Sequence, residues 1–338
     1  MTCKLLFFDY RNSEEKFFSE HRFDNYEIKF FRESLNADTI NKLSQEDLDE
    51  ATIISVFITS DISEEVISRF KNLRIISTRS TGYNHICLNT CANKNIAVLN
   101  VDAYGHTAVA QFTMGLVLML VRNIIPAINI SPQDILSLSE LTGHDLNNMV
   151  LGVVGTGAIG SSVARYAKCF GMSVLAYDKI QNSDLLHDNT VKYVDFDNLL
   201  KFSDVITLHT SYTKENYQMF AWEQFDMMKQ GAYFVNVSRG ELVNNEALLN
   251  VLNSGKLSGA ALDVVACCEN NAAACNKEKS SIFCTETSEI VKKLAQHQNV
   301  IITPHIAYNT QEAVEYILQI TFDGIADYLS GGFKYRVL

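Results

Sequence analysis

The stretch LGVVGTGAIGSSVARYAKCFGMSVLAYD, residues 151–178, constrains the fold more tightly than any other part of the chain. Its apolar start reads as a buried strand ending at Val154. Gly155, Gly157 and Gly160 follow in the spacing G-x-G-x-x-G and a helical pattern begins at once. A second strand ends in Asp178, 18 residues after the last glycine. Each part answers a physical need. Gly155 permits the tight turn, Gly157 lets backbone approach a pyrophosphate, and Gly160 lets helix and strand pack closely. The helix start offers unpaired N–H groups to phosphate oxygens. Asp178 can accept hydrogen bonds from a ribose 2′-OH and would repel a 2′-phosphate, which favours NAD over NADP. The plain alternative is a glycine turn that packs tightly and binds nothing. Strand, helix, second strand and terminal acid together point instead to dinucleotide binding.

The motif begins near residue 150, so much of the fold precedes it. Apolar runs of strand length are LLFFDY, TIISVFI, RIIST and AVLNV before it, and VITLHT, AYFVNVS, GAALDVV and NVIITPH after it. Amphipathic helical segments lie between most of them, such as 64–70, 158–170, 244–252 and 289–296. Such alternation implies parallel sheets covered by helices on both faces. At 338 residues the chain is too long for one ordinary core. The expected class is therefore α/β with two Rossmann-like domains. An NAD-binding domain over 103–302 is inserted into a discontinuous, flavodoxin-like substrate-binding domain formed by 1–102 and 303–338. The segment 107–122, TAVAQFTMGLVLMLVR, is apolar nearly all round, so it is expected to be buried between domains or subunits, and a homodimer follows.

Composition removes other classes. The net charge of -11 argues against nucleic-acid binding, since a phosphate backbone rewards a basic face. No apolar run reaches about 18 uncharged residues, so no membrane span is expected. The first residues, MTCKLLFFDYRNSEEKFF, read as a strand and turn rather than a signal peptide. The eight cysteines are then expected as reduced thiols in a cytoplasmic protein.

Over nearly its whole length the chain resembles the D-2-hydroxyacid dehydrogenases, the D-lactate dehydrogenase branch above all. The stretches that carry the resemblance are ISTRSTGYNHI, NVDAYGHTAVAQFT, VVGTGAIG, LHTSYTKEN, MMKQGAYFVNVSRGELVN, GAALDV and ITPHIAYNT. It implies an outer domain for substrate, an inner one for NAD, and a cleft between them that closes on ligand. The implied reaction is NADH-dependent reduction of a small 2-keto acid, first of all pyruvate to D-lactate. Larger 2-keto acids and hydroxypyruvate stay open as substrates. So does a non-catalytic NADH-sensing partner protein of the same fold.

Such a reduction needs a cation fork for the substrate carboxylate, a proton donor at the carbonyl oxygen and a hydride donor. Arg239 lies just past a predicted strand end, where ligands of open α/β sheets bind. Its planar guanidinium can hold a carboxylate bidentately, as lysine cannot. His305 follows another strand, and an imidazole near neutral pKa gives and takes a proton reversibly. Both match catalytic positions of the family; His85, His106, His209 and His297 match none. The resemblance further implies that backbone N–H groups near Thr81 and Gly82, with Tyr104, meet the substrate. For NAD it implies Gly155, Gly157, Ala158, Ile159, Gly160, Asp178, Thr210, Ser211, Asn216, Val237, Ser238 and Asp263. Ser211 stands where the family usually has proline, and Gln111 replaces a common glutamate.

The family also pairs its histidine with a carboxylate five residues beyond the position of Asp263. Here that count reaches Cys268, and Glu269 is next, in a stretch holding Cys267, Cys268, Cys275 and Cys284. Three readings compete. A one-residue insertion moves Glu269 into the role, which the 42 positions from Asp263 to His305 favour. Alternatively the acid is lost, or the cysteines form a metal or redox site. No C-x2-4-C pair of the kind zinc prefers occurs there, so no metal is expected.

Overall fold

The computed structural model describes residues 3–102, 105–129, 139, 141–187, 190–266 and 289–338. The chain divides into two compact units, Met1–Gly105 with Asn309–Leu338, and His106–Tyr308.

The first unit carries five parallel strands: β1 (Cys3–Phe7), β2 (Tyr26–Phe30), β3 (Ile53–Val56), β4 (Ile75–Thr78) and β5 (Ala97–Leu99), in the order β2-β1-β3-β4-β5. That is the flavodoxin-like doubly wound order. Successive side chains of a strand face opposite sides of the sheet, so a strand covered on both faces must be apolar throughout. Accordingly Leu6, Ile54, Val56, Ile76 and Val98 enter one core. Leu5, Phe7, Ile53, Ile75 and Leu99 enter the other, against Val314, Leu318, Phe322 and Ile325 of the helix Gln311–Leu329. The apolar-run reading misses β2. Its sequence YEIKF lies at the sheet edge, where charged Glu27 and Lys29 alternate with apolar residues.

The second unit has seven parallel strands: β6 (Val150–Val154), β7 (Ser173–Tyr177), β8 (Lys192–Tyr193), β9 (Val205–Leu208), β10 (Ala232–Asn236), β11 (Leu257–Leu262) and β12 (Val300–Ile302). Their order is β12-β11-β10-β9-β6-β7-β8, so the winding reverses between β6 and β9. Such a switch point opens a crevice at the carboxyl ends of the strands, where ligands bind. Phe220, Phe225 and Phe234 centre the core beneath it.

The apolar helix His106–Val121 departs from expectation. It packs inside its own unit, on the helix Ala158–Cys169 and on β10 and β11. That burial covers Ala108, Val109, Ala110, Thr113, Met114, Leu116, Val117, Leu120 and Val121, so most of its apolar character needs no second subunit. Phe112, Gly115, Leu118 and Met119 remain half-buried along one strip. Among the described residues no helix is long and apolar enough to cross a membrane.

Candidate active site

The nucleotide turn sits between β6 and the helix Ala158–Cys169, at the switch point. Gly155 has φ +92°, and a Cβ there would meet Thr210 N at 2.7 Å and the His209 carbonyl carbon at 2.8 Å. A Cβ on Gly160 would collide with the Gly155 carbonyl oxygen. Both therefore serve the protein's own packing. Gly157 differs: a Cβ there would meet nothing within 4 Å, so its bare backbone faces open space at the helix N-cap. Ala158 and Ile159 follow, with the unpaired first-turn N–H groups that suit a pyrophosphate. The residues present thus fit a dinucleotide.

Asp178 follows β7 and does more than its spacing suggests. One carboxylate oxygen accepts from the Thr156 backbone N–H and from its hydroxyl at 3.1 Å; the other accepts from Ile180 N at 3.1 Å. Tyr193 on the edge strand β8 donates its OH to the Thr156 hydroxyl at 2.8 Å. The acid that would meet the ribose also braces the glycine turn. Neither Thr156 nor Tyr193 is signalled by the motif, because the contact spans 37 positions.

At the carboxyl end of β10 the side chain of Asn236, fully buried, shapes the next turn. Its amide donates to the Arg239 carbonyl at 2.8 Å and its oxygen accepts from Ser238 N at 3.0 Å. Ser238 donates its hydroxyl to the Thr210 carbonyl, tying this turn to the one after β9. Arg239 is partly exposed and one guanidinium N–H reaches the Ser238 carbonyl at 2.8 Å, leaving donors of the fork for a ligand. Gly240 allows close backbone passage: a Cβ there would strike Val265 and Ala266, at 2.7 Å from the Val265 oxygen. Asn216 bonds within its own loop, to the Ser211 carbonyl at 2.8 Å and from Thr213 N at 2.7 Å. Val237 is buried and Ser211 exposed.

His305 follows β12 with φ +53°, a left-handed conformation that costs a non-glycine residue about 1–2 kcal/mol. Asp263 holds it there. Asp263 is 1 % exposed; its Oδ1 accepts from the Thr303 hydroxyl at 2.6 Å and Ile306 N at 3.0 Å, and its Oδ2 from Ala307 N at 2.9 Å. Its carbonyl accepts from His305 N at 3.0 Å. Burial raises the Asp263 pKa, and these three donors pull it back. The carboxylate assigned to NAD by resemblance thus also braces the His305 turn. The His305 ring is pushed down to about 4, first by burial and then by the positive charge of Arg239. Its Nδ1 is covered and without a partner among the described residues. Glu269 and Cys267, Cys268, Cys275 and Cys284 lie outside the described residues, as does Tyr104.

His209, at the end of β9, carries no functional signal in the sequence. Both its ring nitrogens are covered and unpartnered among the described residues, and burial pushes its pKa to about 3. It lines the glycine turn as a neutral ring.

In the first unit the loop after β4 holds Thr81 and Gly82. Three successive carbonyls are anchored there. Ser80 O accepts from Val101 N at 3.2 Å, Thr81 O from Asn100 Nδ2 at 3.0 Å, and Gly82 O from the Ser80 hydroxyl at 2.6 Å. In a trans peptide the carbonyl and the next N–H point opposite ways, so the N–H groups of Thr81, Gly82 and Tyr83 all turn away from those anchors. Successive backbone N–H groups can take an anion where the turn makes them converge, the role the family resemblance gives this loop.

Residues 114–307 match the family described as "D-isomer specific 2-hydroxyacid dehydrogenase, NAD binding domain". The chain is 37% identical to a D-specific alpha-keto acid dehydrogenase of Enterococcus faecium over 282 residues, 81% of this chain and 82% of that protein. It is 31% identical to a D-lactate dehydrogenase of Lactiplantibacillus plantarum over 336 residues, 97% of each. Among solved structures, the D-lactate dehydrogenase of Aquifex aeolicus complexed with NAD and lactic acid aligns with TM-score 0.78 and 34% identity over 98% of each chain.

Proposed function

Because the chain belongs to the D-isomer-specific 2-hydroxyacid dehydrogenases, NAD-using oxidoreductases that act on the CH–OH group of 2-hydroxy acids, we propose that its own reaction is the reduction of pyruvate to D-lactate. The observation that carries this reading is the pairing of Arg239 with His305. The guanidinium lies near enough to depress the imidazole pKa, which suits a substrate whose carboxylate and carbonyl are adjacent carbons. Full-length likeness to D-lactate dehydrogenases supports pyruvate among such substrates.

Arg239 takes the carboxylate with its fork, and the backbone N–H groups of Thr81 and Gly82 are assigned to the substrate on the family pattern. Tyr104 is assigned to the substrate on the family pattern. The turn 155–160, Asp178, and the loops holding Thr210, Ser211, Asn216, Val237 and Ser238 hold NAD. When bound, NADH supplies the hydride that reaches the substrate C2. His305 gives its proton to the carbonyl oxygen, and Glu269 holds that proton on the ring until it is needed. Asp263 keeps the ring in place. The half-buried strip Phe112, Gly115, Leu118 and Met119 supports a homodimer; a monomer by light scattering at micromolar concentration contradicts it.

The test is NADH oxidation over a panel of pyruvate, hydroxypyruvate, 2-ketoisocaproate and phenylpyruvate. The highest kcat/KM is expected for pyruvate. A preference for a bulkier acid overturns the substrate, and no turnover of any acid overturns the roles of Arg239 and His305.

A further inference from the structure

The loop proposed to take the substrate carboxylate is built by a side-chain relay whose direction can be worked out by counting protons. Three contacts form it: His85 Nε2 to Thr78 Oγ1 at 3.0 Å, Thr78 Oγ1 to Ser80 Oγ at 2.7 Å, and Ser80 Oγ to the Gly82 carbonyl at 2.6 Å. A carbonyl cannot donate, so the single hydroxyl proton of Ser80 goes to Gly82 O. The Thr78–Ser80 contact then requires the Thr78 proton. With that proton spent, the His85–Thr78 contact requires an N–H on Nε2. The chain of donors therefore runs from His85 through Thr78 and Ser80 to Gly82. Thr78 and Ser80 are buried, at 0% and 1% exposure, so an unmet hydroxyl there would be costly.

We propose that His85 is a positioning residue for the reaction: its Nε2–H starts a relay that locks the Gly82 carbonyl inward and so keeps the Tyr83 N–H turned toward the substrate carboxylate, beside those of Thr81 and Gly82. This inference rests on the reading that the loop takes the carboxylate. The charge state agrees with it. Burial pushes the His85 pKa to about 4 against the opposing pull of Asp9 and Asp61, so at neutral pH the ring carries one proton, and the relay places it on Nε2. The other two anchors, Val101 N and Asn100 Nδ2, come from the segment after β5. Only the Gly82 carbonyl depends on the relay. Loss of His85 should then weaken carboxylate binding without touching the nucleotide turn.

His85→Leu removes the donor, and His85→Gln returns an N–H at similar reach. In His85→Leu the KM of the best 2-keto acid and the Ki of oxamate should rise about five- to tenfold, the worth of roughly one hydrogen bond. The kcat and the NADH dissociation constant should stay within about twofold, and His85→Gln should recover most of the loss. Amide NMR of the wild-type NADH complex separates the two ideas. If oxamate does not shift the amide protons of Thr81, Gly82 and Tyr83 downfield, the loop reading fails. If it does and His85→Leu leaves the oxamate Ki unchanged, the loop reading stands and the role of His85 fails. Where His85→Leu does not fold, the ring nitrogens of wild-type His85 decide: an Nε2–H tautomer is expected, and an Nδ1–H tautomer overturns the relay.

Discussion

Asp263→Asn separates two roles for one buried carboxylate. By family resemblance Asp263 serves NAD; by its contacts it holds His305. Asparagine keeps one accepting oxygen. Placed at Oδ1, that oxygen still serves the Thr303 hydroxyl and Ile306 N, and the NH2 then faces the N–H of Ala307, which is 4% exposed. One charge-assisted bond is lost, about 1.5–3 kcal/mol, and a buried N–H is stranded at about 1–3 kcal/mol. Part is returned, because a neutral amide avoids the burial penalty that raises the Asp263 pKa. The net is about 2–4 kcal/mol against the native turn, roughly a 30- to 1,000-fold loss of correctly held His305. In steady-state kinetics at saturating NADH, kcat should fall at least about tenfold. NADH affinity by fluorescence should change by less than about threefold. The reverse outcome, NADH affinity lost with kcat intact, refutes the positioning argument and returns Asp263 to the cofactor.

Three further outcomes are expected. Glu269→Gln should move the alkaline limb of 2-keto acid reduction to lower pH, lowering the rate at pH 7 about tenfold for every pH unit the limb moves, with Cys268→Ala and chelators silent; an unmoved pH–rate profile counts against Glu269. Asp178→Ala should lower kcat/KM for NADH by about tenfold and narrow the gap to NADPH, since it removes both the ribose acceptor and the brace on Thr156; equal efficiency with NADPH in the wild type contradicts the assignment. His209 and His85, depressed to about 3 and about 4 from 6.5, stay neutral in the fold while the unfolded chain takes up protons. Stability is therefore intact above about pH 6.5 and lost as pH falls toward 4, so Tm should drop over that window and His209→Gln should flatten part of the drop; a Tm constant from pH 7 to 4.5 contradicts it.

What was legible in the sequence follows a physical line. Val150–Val154, Gly155, Gly160 and the helix after them are dictated within a few residues, and the turn has the predicted strain and packing. The central strands announce themselves because both faces are buried. β2 and β8 escape because charged positions interrupt the first and the second is only two residues long. Roles that depend on distant partners are invisible. Asp263 meets Thr303 at a separation of 40 positions, and Asn236 acts through its own turn, where any small polar residue reads alike. The apolar helix His106–Val121 was legible as buried, but hydrophobicity alone does not say by what.

The electrostatics of His305 show why the stretch after Ala266 matters. Burial and Arg239 both disfavour the imidazolium, leaving the ring near 4 and neutral at pH 7. A reductase must hold a proton there at the moment of transfer, and a cation beside the ring works against that. In the proposed reaction Arg239 cannot be given up, since it is assigned the substrate carboxylate. The compensating charge must therefore be negative and close to the unpartnered Nδ1. Asp263 already braces the His305 turn through three donors. The chain leaves Ala266 pinned, its carbonyl accepting from Asn245 at 3.0 Å and its backbone passing against Gly240, the neighbour of Arg239. In the proposed reaction that charge belongs to Glu269, three positions further along the sequence. A side chain at 240 would strike the backbone of Val265 and Ala266, so Gly240→Ala should disturb the Arg239 turn and the segment that leads to the proposed acid together.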